Sequence, residues 1–419
     1  MMDDFFNPRM RKHEPENIMI LGEGQTYSLN CYETKLNNNV MVVGSPGAGK
    51  TRGIVTPNLL QATGSYVISD PKGSLYEQWS RRLLDEDYDV YCVDFTHPEI
   101  STEYNPFRYV RTDEDCRKMA HVLMDSGDRT YGDDPFWQQS SELLVQSMLM
   151  YLLTYPMKER TFHNLMTLIG MWDPGNHDAS EATLPIDVMM ERLENKDDST
   201  IYRLYKKVRA AADKTLRSIQ ITVSAHLSAY DTPALKLMMD GEGINFANIG
   251  AQKAAVFVVV SDTDRSMDTL ANIFFTQAMQ ELCKAADLKP EHKLDIPVRF
   301  IMDDFATNVR IAEFPRMIAS IRSRGISTML MVQAESQLDK GYGDDSGTII
   351  GSCDTYVYMG GNDIETAKHV AERCDQPLRK VLNMPVGKSW IFRRGQEPVL
   401  TDTIDLNSYL SRNEQELGL

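Results

Sequence analysis

One feature limits what this chain can fold into more than any other: an apolar strand that runs straight into a glycine-rich loop. Val40-Met41-Val42-Val43 is followed at once by Gly44-Ser45-Pro46-Gly47-Ala48-Gly49-Lys50-Thr51, and a helical stretch begins at Lys50. The GxxxxGK[ST] spacing alone is only moderately specific; a strand before it and a helix after it supply the missing context. Glycines let successive backbone N–H groups curl around a β-phosphate, and the helix N-terminus adds a favourable dipole. Lys50 is expected to reach the β- and γ-phosphates, and the Thr51 hydroxyl to ligate magnesium. Gly44, Pro46, Gly47, Ala48, Gly49 and Arg52 complete the expected cradle for ATP and Mg2+.

A parallel sheet is the natural setting for such a loop. Short apolar runs at 17–21, 26–30, 39–43, 65–69 and 88–93 alternate with helical stretches, the pattern of an α/β domain covered on both faces. From about residue 107 the character changes. Thr112 reads as the cap of a helix to Met124, Asp134-Pro135 opens a long helix, and Thr161 opens another. Helical periodicity recurs at 184–194, 200–211 and 213–228, with no convincing strand between. Residues 107–242 are therefore expected to form an all-α domain inserted into a discontinuous α/β domain of residues 1–106 and 243–419. In the second α/β segment, strands are expected at 254–260, 297–302, 326–332, 356–359 and 389–393. Helices are expected at 267–286 and 311–322, and Asn362 with Glu365 reads as a capping box for a helix to Cys374. The polar tail at 407–419 yields no reading.

Composition narrows the class. A hydrophobic fraction of 42% and a charged fraction of 25% are those of an ordinary globular chain. No apolar run reaches the roughly 18 residues of a membrane span. The N-terminus lacks the basic-then-apolar pattern of a secretory signal. Six cysteines and eight histidines show no metal spacing, which favours reduced thiols in a cytoplasmic protein. A net charge of -16 disfavours a surface that coats nucleic acid throughout. It leaves room for a locally basic channel.

The loop requires a carboxylate at the end of a neighbouring strand. Arg299-Phe300-Ile301-Met302 leads into Asp303-Asp304. Asp303 is expected to hold the magnesium, directly or through water, and Asp304 to orient or deprotonate the attacking water. Gln333 ends the next strand, in position to report the γ-phosphate. Arg322 and Arg324 offer charge for a transferring phosphoryl group, often one bound by a neighbouring subunit. A solvated helix C-terminus explains the two arginines equally well. Asp70 and Lys72 read equally as a tight turn and as a catalytic pair. Trp137 reads as core or domain-interface packing rather than base stacking. The basic surface at 203–217 reads as a solvated helix face, with a DNA or protein contact as the alternative.

These motifs together resemble those of the conjugative type IV coupling proteins, the TraG/TraD-type ATPases of type IV secretion systems. Residues 44–60 resemble the extended P-loop of that family, and Ser69-Asp70-Pro71-Lys72-Gly73-Ser74-Leu75 its second signature. Tyr104-Asn105-Pro106-Phe107 resembles the signature ahead of the helical domain, and Asp134-Pro135-Phe136-Trp137 its tryptophan motif. Residues 258–264 with Gln277, Asp303-Asp304-Phe305, Ile321-Arg322-Ser323-Arg324-Gly325-Ile326 and Val332-Gln333-Ala334-Glu335-Ser336-Gln337-Leu338 follow in the family order. The resemblance runs from about residue 39 to 372.

It implies a RecA-like nucleotide-binding domain with an inserted all-α domain, assembled as hexamers around DNA at the cytoplasmic face of the cell membrane. Such proteins recruit relaxase-bound single-stranded DNA or protein substrates to the components of a type IV secretion channel and hydrolyse ATP. By matching position, Lys50 and Thr51 hold phosphate and magnesium, Asp303 and Asp304 take the acidic roles, and Gln333 is the sensor. Arg322 or Arg324 is then the arginine acting in trans. Members usually carry transmembrane helices ahead of the ATPase domain, and these residues contain none. The expectation is therefore a fragment or an anchorless form, with indirect membrane association and weak self-association in isolation. Position 304 usually holds glutamate; the shorter aspartate is expected to hold the water less closely, and about 1 Å of misplacement costs ~100-fold in rate. A nucleotide-regulated docking platform with little turnover is the alternative class. Another P-loop DNA translocase is more distant, since the helical insertion and Asp70-Pro71-Lys72-Gly73 speak against it.

Overall fold

The apolar runs of the sequence become strands stacked side by side in one large sheet. The computed structural model describes residues 17–124, 135–172, 183–306, 310–311 and 313–417. Its strands are β1 (Ile18–Gly22), β2 (Gln25–Ser28), β3 (Val40–Val43), β4 (Ser65–Ser69), β5 (Asp89–Asp94), β6 (Ala254–Val259), β7 (Val298–Met302), β8 (Ile326–Val332), β9 (Thr355–Tyr358), β10 (Lys388–Arg393) and β11 (Val399–Asp402). β1 and β2 form an antiparallel hairpin. The other nine make one sheet in the order β11-β10-β9-β3-β8-β7-β4-β6-β5. Pairing from β9 through β3, β8, β7 and β4 to β6 is parallel, and β10 and β11 add antiparallel at one edge. β3, β4, β6 and β7 are buried along their whole length, as strands covered on both faces must be.

Two compact units emerge. One comprises the described residues of Met1–Cys92, Asn245–Thr263 and Gln280–Leu419, and holds all but the end of β5 from the large sheet. The other comprises those of Val93–Ile244 and Asp264–Met279. Among the described residues no strand lies between Asp94 and Ala254. Thr112 and Thr161 cap their helices as expected: each hydroxyl accepts from the N–H three residues on, at 3.1 and 3.2 Å.

Helix Pro135–Leu152 matches the expected long helix, although Asp134 lies outside the described residues. Trp137 is not a core residue, being 39% exposed. It stands one turn before Ser141, the first buried residue of the helix face that runs on to Leu144, Val145 and Met148. In helix Thr200–Arg209 the buried face is Leu204, Tyr205 and Val208, so Lys206 and Lys207 are turned to solvent.

Three further expectations shift. The helix expected over 311–322 is a short helix Phe314–Ile318 followed by a 3-10 turn Ile321–Arg324. Pro315 is tolerated in the first turn, but an earlier start would put it in the helix interior, where it lacks an N–H and clashes with the carbonyl four residues back, and Glu313 adopts a φ of 58°. The cap of helix Ile364–Arg373 is Asp363 rather than Asn362, with Thr366 N–H donating to its carboxylate at 2.9 Å. The C-terminal segment holds both β11 and a helix Leu406–Leu417. Leu406 and Tyr409 pack with Ile20 and Ile404, and the Tyr409 hydroxyl accepts from Gln61 Nε2 at 2.6 Å. The C-terminal helix thus braces the helix that leaves the glycine loop.

Asp187 organises part of the helical unit. Its carboxylate accepts from Leu184 N–H at 2.7 Å, from Arg209 Nε at 3.1 Å and Nη2 at 3.3 Å, and from the Tyr205 hydroxyl. Burial pushes its pKa up, but hydrogen bonds from Arg209, Tyr205 and Leu184 outweigh burial and leave it below the usual carboxylate value. A depressed carboxylate stabilises the fold above its unfolded pKa of about 4, and the stabilisation disappears as the pH falls through the lower folded value. Asp187→Ala is expected to destabilise the protein by about 2 kcal/mol at neutral pH, since it leaves donors unpaired. Thermal unfolding of both forms from pH 7 to pH 3 checks this: the gap should narrow toward acid.

Candidate nucleotide-binding site

Strand register decides which side chains meet at the C-terminal edge of the sheet. Val43 of β3 pairs with Val332 of β8, Leu330 of β8 with Met302 of β7, and Met302 with Ser69 of β4. Gly44, Gln333, Asp303 and Asp70, each the next residue after its strand, therefore emerge along one edge. This is where ligands bind in parallel α/β sheets.

The loop leaves β3 under close constraint. Gly44 N–H donates to Val332 O at 3.1 Å, and Ser45 N–H to Gly360 O at 2.9 Å. A Cβ on Gly44 would lie 3.0 Å from Met359 Cβ and 3.1 Å from Ala48 Cβ. Gly47 and Gly49 have φ of 78° and 87°, in the left-handed region that glycine occupies without strain. From Thr51 the chain winds as a π-helical turn to Val55 and continues as a helix to Leu60. Pro46, Gly47 and Arg52 are exposed, whereas Lys50 is 8% exposed.

Lys50 Nζ donates to Gly44 O at 2.6 Å and Ser45 O at 3.4 Å. Burial pulls its pKa down, and the charges of Asp304 and Asp303 oppose that. The Thr51 hydroxyl donates to Asp303 Oδ2 at 2.8 Å. Burial raises the Asp303 pKa, the Thr51 bond lowers it, and Asp304 raises it further. Asp304 has a φ of 52°, a region in which aspartate is among the better tolerated side chains. Its Oδ1 accepts from Gln333 Nε2 at 3.3 Å. Lys50, Thr51, Asp303, Asp304 and Gln333 thus form one cluster.

Arg322 and Arg324 stand elsewhere. Their turn precedes β8 whereas Gln333 follows it, which separates them by the length of the strand, about 20 Å at ~3.3 Å per residue. Arg322 Nη2 donates to Cys31 O at 3.2 Å. Arg324 forms a bidentate pair with Asp287, at 2.7 and 3.0 Å. Neither touches the site of its own chain.

Asp70, Lys72 and Gln337 complete the surroundings of this edge. Asp70 is 1% exposed and accepts from Tyr76 N–H at 2.9 Å, which ties the Asp-Pro-Lys-Gly turn to the following helix. Burial raises its pKa. Lys72 points outward, 3.7 Å from Asp262. Gln337 Oε1 accepts from Gln333 N–H at 2.8 Å. The Gln-x-x-x-Gln spacing in the sequence is the signal for that bond.

The residues present suit a magnesium–phosphate group. A hydroxyl and a carboxylate are hard oxygen donors, and magnesium is commonly held by one or two such groups with phosphates and water. Among the described residues no cluster of three or more His, Cys, Asp or Glu side chains forms a metal cage. A buried amine bonded only to loop carbonyls, beside a glycine turn of N–H groups, matches an anion.

Residues 6–377 match the family model described as Type IV secretory system Conjugative DNA transfer. The conjugal transfer protein TraG of Escherichia coli is 20% identical over 390 residues, covering 87% of this chain and 60% of that protein. Protein VirD4 of Agrobacterium fabrum is 23% identical over 344 residues, covering 79% and 48%. The chain therefore spans between about half and three fifths of the length of these relatives. Among solved structures, the plasmid coupling protein TrwB in complex with the non-hydrolysable ATP analogue ADPNP is similar at a TM-score of 0.67 and 15% identity, covering 92% and 89% of the two chains. TrwB in complex with ADP and Mg2+ is similar at 0.65 and 16%. The fold is that of the RecA-like P-loop proteins, and the chain belongs to the type IV secretory system conjugative DNA transfer family, the coupling proteins of conjugation.

Proposed function

We propose that this chain is the ATPase portion of a type IV coupling protein, recruiting relaxase-bound single-stranded DNA or protein substrates to a secretion channel and using ATP hydrolysis to drive or gate their transfer. The observation that carries this reading is the Thr51–Asp303 contact beside a buried Lys50, inside a family match that covers most of the chain. In this reading residues 1–106 and 243–419 form the nucleotide-binding domain and 107–242 the all-α domain. The protein works at the cytoplasmic face of the membrane, assembled as a hexamer that is weak in isolation. Among the described residues no helix is long and apolar enough to cross a membrane.

The roles follow from position. The loop N–H groups of Gly47, Ala48 and Gly49 receive the β-phosphate, and Arg52 flanks the nucleotide from the exposed first turn. Lys50 exchanges its carbonyl partners for β- and γ-phosphate oxygens, a stronger charge-assisted bond. Thr51 and Asp303 hold magnesium. When bound, that ion neutralises charge on the phosphates. Asp304 orients the attacking water and takes its proton, and Gln333 fixes Asp304 and senses the γ-phosphate. A strand's length away, Arg322 or Arg324 faces the site of the next subunit and supplies the missing positive charge.

A nucleotide-regulated docking platform is the second reading. It is favoured by the short Asp304 carboxylate, which Gln333 already engages.

Hydrolysis by the full chain, measured with and without single-stranded DNA, tests the proposal. Lys50→Ala is expected to remove turnover by at least ~100-fold, since the phosphates lose their positive partner. Chelation of magnesium should abolish it as well. Asp304→Asn keeps an αL-tolerant side chain, so nucleotide affinity should hold while kcat falls by roughly 100-fold, the scale of a lost general base. Absence of turnover in the unsubstituted chain under every DNA or partner condition would sink the motor and leave the docking platform.

A further inference from the structure

Glu335 opens the helix Glu335–Tyr342, two residues after Gln333. Its side chain is 15% exposed and is held from three directions. The carboxylate accepts from the Tyr356 hydroxyl at 2.7 Å and meets His369 Nδ1 at 2.9 Å through each oxygen. Its backbone N–H donates to Thr366 Oγ1 at 3.1 Å. Thr366 is 2% exposed and its hydroxyl donates in turn to Asp363 at 2.6 Å, so that hydroxyl uses both its donor and its acceptor capacity. Arg373 closes the cluster, its guanidinium 4.6 Å from the Tyr356 ring centroid and 4.5 Å from that of Phe392.

These partners belong to one block, β9 with the helix Ile364–Arg373. The same block reaches the phosphate loop, because β9 pairs with β3 and Gly360 O accepts from Ser45 N–H. The turn that carries Gln333 is therefore fastened to the element that fixes the loop. Gln333 itself meets Asp304 through a single 3.3 Å bond, which cannot set the orientation of the turn alone.

We infer that Glu335 and Thr366 are positioning residues for hydrolysis, which lock the Gln333 turn to β9 and its helix so that the Gln333 amide stays on Asp304. This rests on the ATPase reading above. Neither residue touches nucleotide; both act through Gln333. Freeing the turn lets the amide move, and displacement of about 1 Å at a reacting group is worth on the order of 100-fold in rate.

The test is steady-state hydrolysis by the full chain, with kcat and KM resolved, beside binding of a fluorescent non-hydrolysable ATP analogue. Glu335→Ala is expected to lower kcat by about 10- to 100-fold while KM and analogue affinity stay within about 3-fold, the pattern of an interaction used only in the transition state. Thr366→Val keeps shape and the carboxylate cluster and should lower kcat in the same direction. Glu335→Gln retains an acceptor oxygen for Tyr356 and should recover most of the loss. In the Gln333→Ala background, Glu335→Ala should add little, because the Gln333–Asp304 contact through which Glu335 acts is already gone. Independent multiplication of the two effects, or a loss confined to KM, overturns the inference. An unchanged kcat in both Glu335→Ala and Thr366→Val overturns it while leaving the ATPase reading standing. A wild-type chain without turnover removes both.

Discussion

The in-register parallel pairing of β3, β8, β7 and β4 is the constraint on which the rest of the structure depends. The glycine loop, Gln333 and the Asp303-Asp304 pair come from three separate stretches of sequence. They meet only because Val43, Val332 and Met302 end their strands at one edge. A slip of one residue in β7 would turn Asp303 to the opposite face and away from Thr51. β3 and β7 are buried along their whole length, as the strands of a parallel sheet covered on both faces are.

Electrostatics then gives the site its character. The chain is acidic overall, at -16, yet its edge concentrates one buried cation against two adjacent carboxylates. Burial pulls the Lys50 pKa down, and the charges of Asp304 and Asp303 oppose that. Asp303 is pushed the other way by burial and by Asp304. An arriving phosphate with its magnesium relieves both, since each buried charge gains an opposite partner. The two arginines lie at the far end of β8, a strand's length from the Lys50, Asp303 and Asp304 cluster.

Much of this was legible in the sequence, for physical reasons. Buried parallel strands are short, mostly apolar runs; β3 and β6 are wholly so, and β4, β7 and β8 are apolar but for Ser65, Ser69, Arg299, Ser327 and Thr328. The P-loop and Asp303 announce themselves because phosphate and magnesium chemistry allows few residue types at fixed places. What escaped was set by tertiary context. Pro315 and a left-handed Glu313 broke a helix whose periodicity looked continuous. β11 has four residues at a sheet edge, too few to show alternation. The C-terminal helix hides in a polar tail, where only Leu406, Tyr409 and Leu410 mark its inner face. Trp137 has a core side chain at a surface position. Glu335 lies in a motif read for Gln333 alone and Thr366 thirty-one residues on in none, and only the fold brings them within 3.1 Å.

The most direct measurement is a crystal structure of this chain grown with magnesium and a non-hydrolysable ATP analogue. The expected result is a metal ligated by the Thr51 hydroxyl with Asp303 beside it, Lys50 Nζ moved from Gly44 O to the phosphates, and Gln333 at the γ-phosphate. A nucleotide bound away from residues 44–51, or a metal that leaves the Thr51–Asp303 pair untouched, would contradict it.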